Sequence, residues 1–204
     1  RGSKGVQLGG YQGNDNSIHS YDWTGEFIYF VNAEVERCKN HGWVIKGSGN
    51  FVWLTNCYSC LNQGSGIVLT ANFNKAVNIT APNVRANAQH GILCNKDTSD
   101  GQITITDPVI CDNSNSAQGG SSNDSSGVYI VNGADHISII GGKIGGGTDA
   151  TGQGSQKYAI DVSGTDHKYI RFIGVDCTGN RQNDLANGTT SYNKGSIYFQ
   201  NTGN

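Results

Sequence analysis

Two glutamates, Glu34 and Glu36, flank Val35. If this segment is a strand with Val35 facing inward, both carboxylates face solvent, with Cα atoms ~6.6 Å apart, two strand rises. Glycosidases use carboxyl pairs roughly 5–9.5 Å apart, one as acid and the other as base or nucleophile. The spacing permits that chemistry without being diagnostic of it, and a solvated pair of strand charges is the plainer reading. Arg85 stands at the position of Glu36 in a later segment of similar pattern. A guanidinium there would bind an acidic group or balance charge. Asp112, near the same edge, is the third candidate catalytic carboxylate, and Lys143 is placed to pair with Asp176.

A second set of residues suits contact with a ligand. Tyr29, Trp53, Asn78, Thr104, Ser138 and Arg171 fall at equivalent places in successive runs. Asn, Thr and Arg offer donors and acceptors to hydroxyl-rich molecules, and Trp53 offers a flat apolar plane. Trp23 lies in an aromatic-rich segment, 9–26, that also holds Tyr11, His19 and Tyr21. Trp53, Tyr29, Arg85, Trp23 and Arg171 are thus the candidate ligand-binding residues. His41 and His90 each precede a glycine at equivalent positions, a repetition that reads as structural.

Other chemistries find little support. There is no phosphate-binding loop, dinucleotide fingerprint, zinc-protease helix or nucleophile elbow. Cys57 and Cys60 form a lone C-x-x-C, so neither a zinc centre nor a redox pair is expected, and no metal or cofactor is implied. Cys38, Cys94, Cys111 and Cys177 fall at inward or near-inward positions and read as small buried hydrophobes. Fourteen Lys and Arg face sixteen Asp and Glu, for a net charge of −2. That leaves no positive excess to neutralise phosphates and argues against nucleic acid as a partner. No stretch approaches the ~18 apolar residues that membrane insertion by a helix requires.

The elements that must hold these residues emerge from a repeat. A small residue followed by apolar, variable, apolar recurs as Gly5-Val6-Gln7-Leu8, Gly42-Trp43-Val44-Ile45, Gly66-Ile67-Val68-Leu69 and Gly91-Ile92-Leu93-Cys94. It returns as Gly127-Val128-Tyr129-Ile130, Ala159-Ile160-Asp161-Val162 and Ser196-Ile197-Tyr198-Phe199. The starts are 37, 24, 25, 36, 32 and 37 residues apart. A second alternating run follows, as in Ile28-Tyr29-Phe30, Val52-Trp53-Leu54, Val77-Asn78-Ile79 and Ile103-Thr104-Ile105. A third, shorter run centres on Val35, Val84, Val109, Ile144 and Val175. Period-two alternation places the apolar residues on one strand face, and Gly, Asn, Ser and Asp separate the runs as turns require. Three short strands in about 24 residues predict an all-β, single-stranded parallel β-helix of six to seven turns, each stacked ~4.8 Å above the last. A β-sandwich with Gly-rich hairpins ranks lower, because its strands would not recur in a fixed three-run unit.

Four segments exceed the repeat and read as loop insertions: 9–26, 113–126, 145–157 and 179–194. Between the two inward rows of the first run lies an outer row, Gln7, Val44, Val68, Leu93, Tyr129, Asp161 and Tyr198. Its apolar middle would form an exposed stripe, to be covered by sister chains about a threefold axis, or else by a loop or neighbouring domain.

These repeats, with their Asn/Gly turns and apolar outer row, resemble the right-handed parallel β-helix of the pectate-lyase-like superfamily, and within it the tailspikes of bacteriophages. The resemblance spans residues 5–201 and rests on architecture, not on a signature motif. It implies a homotrimeric receptor-binding protein of the virion tail, assembled in the host cytoplasm and acting at the bacterial surface. Such proteins bind bacterial surface polysaccharide, and many depolymerise it by hydrolysis or β-elimination. It also implies that 1–204 is one β-helix domain, a piece of a longer tailspike, in keeping with a start at Arg1-Gly2-Ser3-Lys4. The pectin-hydrolase motifs are missing, with His41-Gly42 and His90-Gly91 the nearest fragments, and no aspartate cluster resembles the calcium site of pectate lyases. No catalytic residue therefore carries over from the family. A non-catalytic adhesion module and a trimeric shaft segment are the alternatives.

Overall fold

The repeat unit folds as one turn of a coil. A computed structural model describes residues 18–20, 27–46, 51–70, 76–95, 101–115, 125–131, 134–147, 156–164, 167, 169–182, 185–187 and 197–200. Among these residues nineteen strands, numbered in chain order, make up three sheets, and every pairing among them is parallel. The first sheet stacks β1 (Ile18–Ser20), β4 (Trp43–Lys46), β7 (Ile67–Thr70), β10 (Ile92–Asn95), β13 (Val128–Ile130), β16 (Ile160–Val162) and β18 (Leu185–Asn187). The second stacks β2 (Phe27–Val31), β5 (Phe51–Thr55), β8 (Ala76–Thr80), β11 (Gln102–Thr106), β14 (Ile137–Ile140), β17 (Ile170–Ile173) and β19 (Ile197–Gln200). The third stacks β3 (Glu34–Glu36), β6 (Tyr58–Cys60), β9 (Asn83–Arg85), β12 (Val109–Cys111) and β15 (Lys143–Ile144). One strand from each sheet makes a turn, so the chain is a parallel β-helix with three strands per turn.

The core is built from like residues in register. Ile92 pairs with Ile67 on one side and with Val128 on the other, and Cys94 lies between Leu69 and Ile130. All six are at most 1 % exposed. The glycine before β4, β7, β10 and β13 has a steric cause. A Cβ on Gly91 would fall 2.5 Å from Ile110 Cγ2 and 2.6 Å from the Gly127 carbonyl oxygen.

Two corners per turn use left-handed backbone. Between the second and third sheets the bend is made by Asn32, Asn56, Ala81 and Asp107, with φ of 53°, 54°, 48° and 49°. After the third sheet it is made by Arg37, Leu61, Ala86 and Asp112, each at φ 55°. Such a conformation costs a non-glycine residue ~1–2 kcal/mol. Here it keeps the corner N–H on the ladder: Asn56 donates to Thr80 O at 2.9 Å, and Ala81 to Thr106 O at 2.8 Å. Leaving such a donor buried and unpaired would cost ~1–3 kcal/mol, enough to offset the strain.

A buried polar column reinforces the corner that leads back to the first sheet. Asn62 Nδ2 donates to Asn87 Oδ1 (2.8 Å), Asn87 Nδ2 to Asn113 Oδ1 (2.9 Å), Asn113 Nδ2 to Gln156 Oε1 (3.3 Å) and Gln156 Nε2 to Asn180 Oδ1 (2.8 Å). The two histidines are structural in the same region. His41 Nδ1 accepts from Ser65 N, and His90 Nδ1 from Ser126 N.

Several expectations need correction. The rung before Trp43 is Ile18, not Val6, and β1 lies inside the segment read as the insertion 9–26. Gly5–Leu8 lies outside the described residues. At the other end Ile197–Gln200 pairs with β17 in the second sheet, and Leu185–Asn187 continues the first. Apolar–variable–apolar is the pattern of both sheets, so alternation cannot choose between them. Turn length can: Ile18 to Trp43 and Ile160 to Leu185 are both 25 residues, the length of a plain turn. The outer row of the first sheet is not an open stripe either. Val44 and Val68 are 7 % and 6 % exposed in the single chain, and Leu93 and Tyr129 are half-buried. Cys111 faces outward opposite Arg85, not inward, because Ile110 is the buried residue of β12.

Candidate functional site

The three candidate carboxylates and Arg85 lie along the third sheet, Glu34 and Glu36 side by side on β3, Arg85 two pairings away and Asp112 at the corner after the third pairing. Its strands are held between left-handed corners, so each three-residue strand turns its middle residue into the core and the other two away from it, and of the outward residues only Cys60 is itself buried. Register then sets two outward columns. One runs Glu36, Cys60, Arg85, Cys111, and the other Glu34, Tyr58, Asn83, Val109, Lys143. A carboxylate oxygen of Glu34, one of Glu36 and Cys60 Sγ lie within 4.8 Å of one another. Both glutamates are exposed, whereas Cys60 is 4 % exposed.

Contacts distinguish the two glutamates. Glu36 Oε1 lies 3.9 Å from Arg37 Nε, and Glu36 Oε2 accepts a weak bond from the Cys60 thiol at 3.9 Å. Burial pushes the Cys60 thiol up, and the charges of Glu36 and Glu34 add to the shift. Two carboxylates and a sulfur could serve as cation donors. Arg37 beside Glu36 and Arg85 next to Cys60 supply positive charge that competes with a cation.

Arg85 is exposed and fixed by its neighbour. Its Nε donates to Tyr58 Oη, and its guanidinium carbon lies 5.3 Å from the centre of the Tyr58 ring. Burial raises the Tyr58 hydroxyl. Asp112 follows Cys111 at the corner and is half-buried. Burial raises its carboxyl, against opposing effects of Cys111 and Arg85, and its Oδ1 is buried with no hydrogen-bond partner. Gly147 (φ +81°) closes over it, where a Cβ would fall 1.8 Å from Asp112 Oδ1. Farther along, Lys143 Nζ pairs with Asp176 Oδ2 at 3.3 Å. Asp176 is held below the usual carboxylate range by the Thr178 backbone N–H and hydroxyl.

The remaining candidates occupy the second sheet. Tyr29 and Trp53 pair in register and stack, with ring centres 4.5 Å apart and planes 10° apart. Phe27 and Phe51, two residues earlier on the same face, stack at 5.3 Å and 7°. Tyr29 thus covers one face of Trp53, and the rings lie along the coil axis with their edges outward. Tyr29 and Phe27, on the end strand β2, are 61 % and 56 % exposed. Arg171 lies on the same sheet four pairings beyond Trp53, ~19 Å along the coil, and does not join the aromatic patch. Trp23 lies outside the described residues.

Tyr58, Asn83, Phe27 and Phe51 are site residues that the sequence reading did not single out, and Cys60 was read there only as half of a C-x-x-C. The signal was present: each lies one turn from a named residue, or two residues along the same strand. The chain matches no protein-family model, no curated protein and no solved structure.

Proposed function

We propose that this β-helix binds a bacterial surface polysaccharide and cleaves its glycosidic bonds, as a phage tailspike does. The observation that carries the reading is the Glu34–Glu36 pair, whose oxygens come within 4.8 Å on a rigid strand. That approach suits the retaining class of glycosidase, with carboxyl groups ~5–5.5 Å apart, better than the ~6.5–9.5 Å of the inverting class. Glu36, steered by Arg37 and the Cys60 thiol, is the better-fixed group and takes the nucleophile role. Its oxygen bonds to the anomeric carbon while the departing glycosidic oxygen takes the Glu34 proton. Glu34 then draws a proton from water, whose oxygen displaces Glu36. The rings of Phe27, Tyr29, Phe51 and Trp53, on the adjoining strands of the same two turns, offer apolar contact to neighbouring sugars. In this reading the protein is a homotrimer of the virion tail, assembled in the host cytoplasm and acting at the cell surface.

The test is digestion of purified capsular and O-antigen polysaccharides, read by product mass. Wild type should release oligosaccharides, and Glu36→Gln and Glu34→Gln should each lose at least a hundredfold in rate with an unchanged circular dichroism spectrum. Wild-type turnover in both variants would remove the pair as catalysts. A second reading, an adhesion module without turnover, is favoured by the exposure of both glutamates, since glycosidase chemistry gains from excluded water. Saturable binding to bacteria with no product would establish it.

A further inference from the structure

We infer that the polysaccharide is acidic, and that Arg85 receives its anionic group, a carboxylate or phosphate on a sugar ring. This rests on the polysaccharide reading above. The third-sheet face carries three cations in the described strands and corners. Arg37 is spent on Glu36 and Lys143 on Asp176. Arg85, exposed between them, forms no ion pair among the described residues. It is nevertheless not a loose surface arginine. Its Nε is anchored on Tyr58 Oη and its plane lies near the Tyr58 ring, which leaves the outer Nη1/Nη2 edge as an oriented fork. Two parallel N–H donors in a plane match a carboxylate or phosphate, and prior fixation lowers the entropic cost of binding.

The nearest carboxyl on the following turn, Asp112, lies under Gly147 with its Oδ1 buried, and it does not occupy the fork. Within the polysaccharide reading, the molecule that brings an anion to an open guanidinium edge is an acidic sugar. The carboxylates of Glu34 and Glu36 do not forbid it. Glu36 stands two pairings from Arg85, ~10 Å along the coil, which is about one Debye length at 0.1 M salt. The anionic ring would therefore lie next to the ring cleaved, not on it.

The experiment is affinity electrophoresis of the intact chain through gels containing hyaluronan, polygalacturonate or polysialic acid, and through gels containing dextran or pullulan. Wild type should be retarded by at least one acidic polymer and by neither neutral one, with retardation falling as salt rises. Arg85→Ala should weaken that binding tenfold or more, and Arg85→Lys, which keeps the charge but not the fork, should fall between. Thermal melting checks that both variants remain folded. Retardation by the neutral polymers with Arg85→Ala unchanged would overturn the acidic assignment and leave the polysaccharide reading standing. Retardation by none of the five would count against both. Acidic-polymer binding that survives Arg85→Ala at full strength would remove Arg85 as the receptor.

Discussion

His90 sits where burial matters most for a single side chain. Its imidazole is lowered to about 4, first by burial and then by the charge of His41. The unfolded chain titrates its histidines near 6.5, so between about 6.5 and 4 the unfolded state binds more protons than the folded one. Stability is therefore complete above this window and falls through it, by about 3 kcal/mol in all. Asp112 and Asp161, both raised by burial, act in the opposite sense near the acid end. The difference between wild type and His90→Gln isolates the histidine, because glutamine can still accept from Ser126 N. Urea midpoints should converge as pH drops from 7.5 to 4.5, and parallel curves would contradict the account. Gly91→Ala should cost about 1–3 kcal/mol at any pH, from overpacking against Ile110 and the Gly127 carbonyl. Arg85 was legible in the sequence because period and parity place it above Glu36. Cys111 was misread because the centre of its run was taken as Val109, one residue from the buried Ile110.

Elements of the coil hold one another by register and by the polar column inside the corner. Asn87 is the middle of that column: it accepts from Asn62 Nδ2 and donates to Asn113 Oδ1 and the Ser59 carbonyl. Asn87→Ala should destabilise the protein by about 3 kcal/mol, since it leaves partners buried on both sides. A melting temperature within a degree of wild type would show that the column contributes little. The three-sheet plan and the core rows were readable because apolar side chains recur with the turn. The end rungs were not, because Ile18-His19-Ser20 and Leu185-Ala186-Asn187 each carry only one large apolar residue. Leu61, Ala81 and Ala86 at left-handed corners were also hidden, as nothing in those residue types announces positive φ.

The described residues form a one-dimensional stack, and the proposed chemistry lies on its first described rung. β2 and β3 are the terminal strands of their sheets, so Phe27, Tyr29, Glu34 and Glu36 belong to a rung paired on one side among the described residues. For the proposed homotrimer, light scattering should return three times the 21.6 kDa chain. Val68 is already buried within one chain, so a charge there would unfold the coil. Tyr29→Asp is the better probe of assembly: a monomeric mass would place the exposed β2 row at the interface, and an intact trimer would exclude it. The carboxylate pair itself is tested most directly by following the anomeric protons during digestion of a susceptible polysaccharide. The close approach of Glu34 and Glu36 predicts that the first product carries the anomeric configuration of the substrate. A product of inverted configuration, or an unsaturated sugar from elimination, would contradict it.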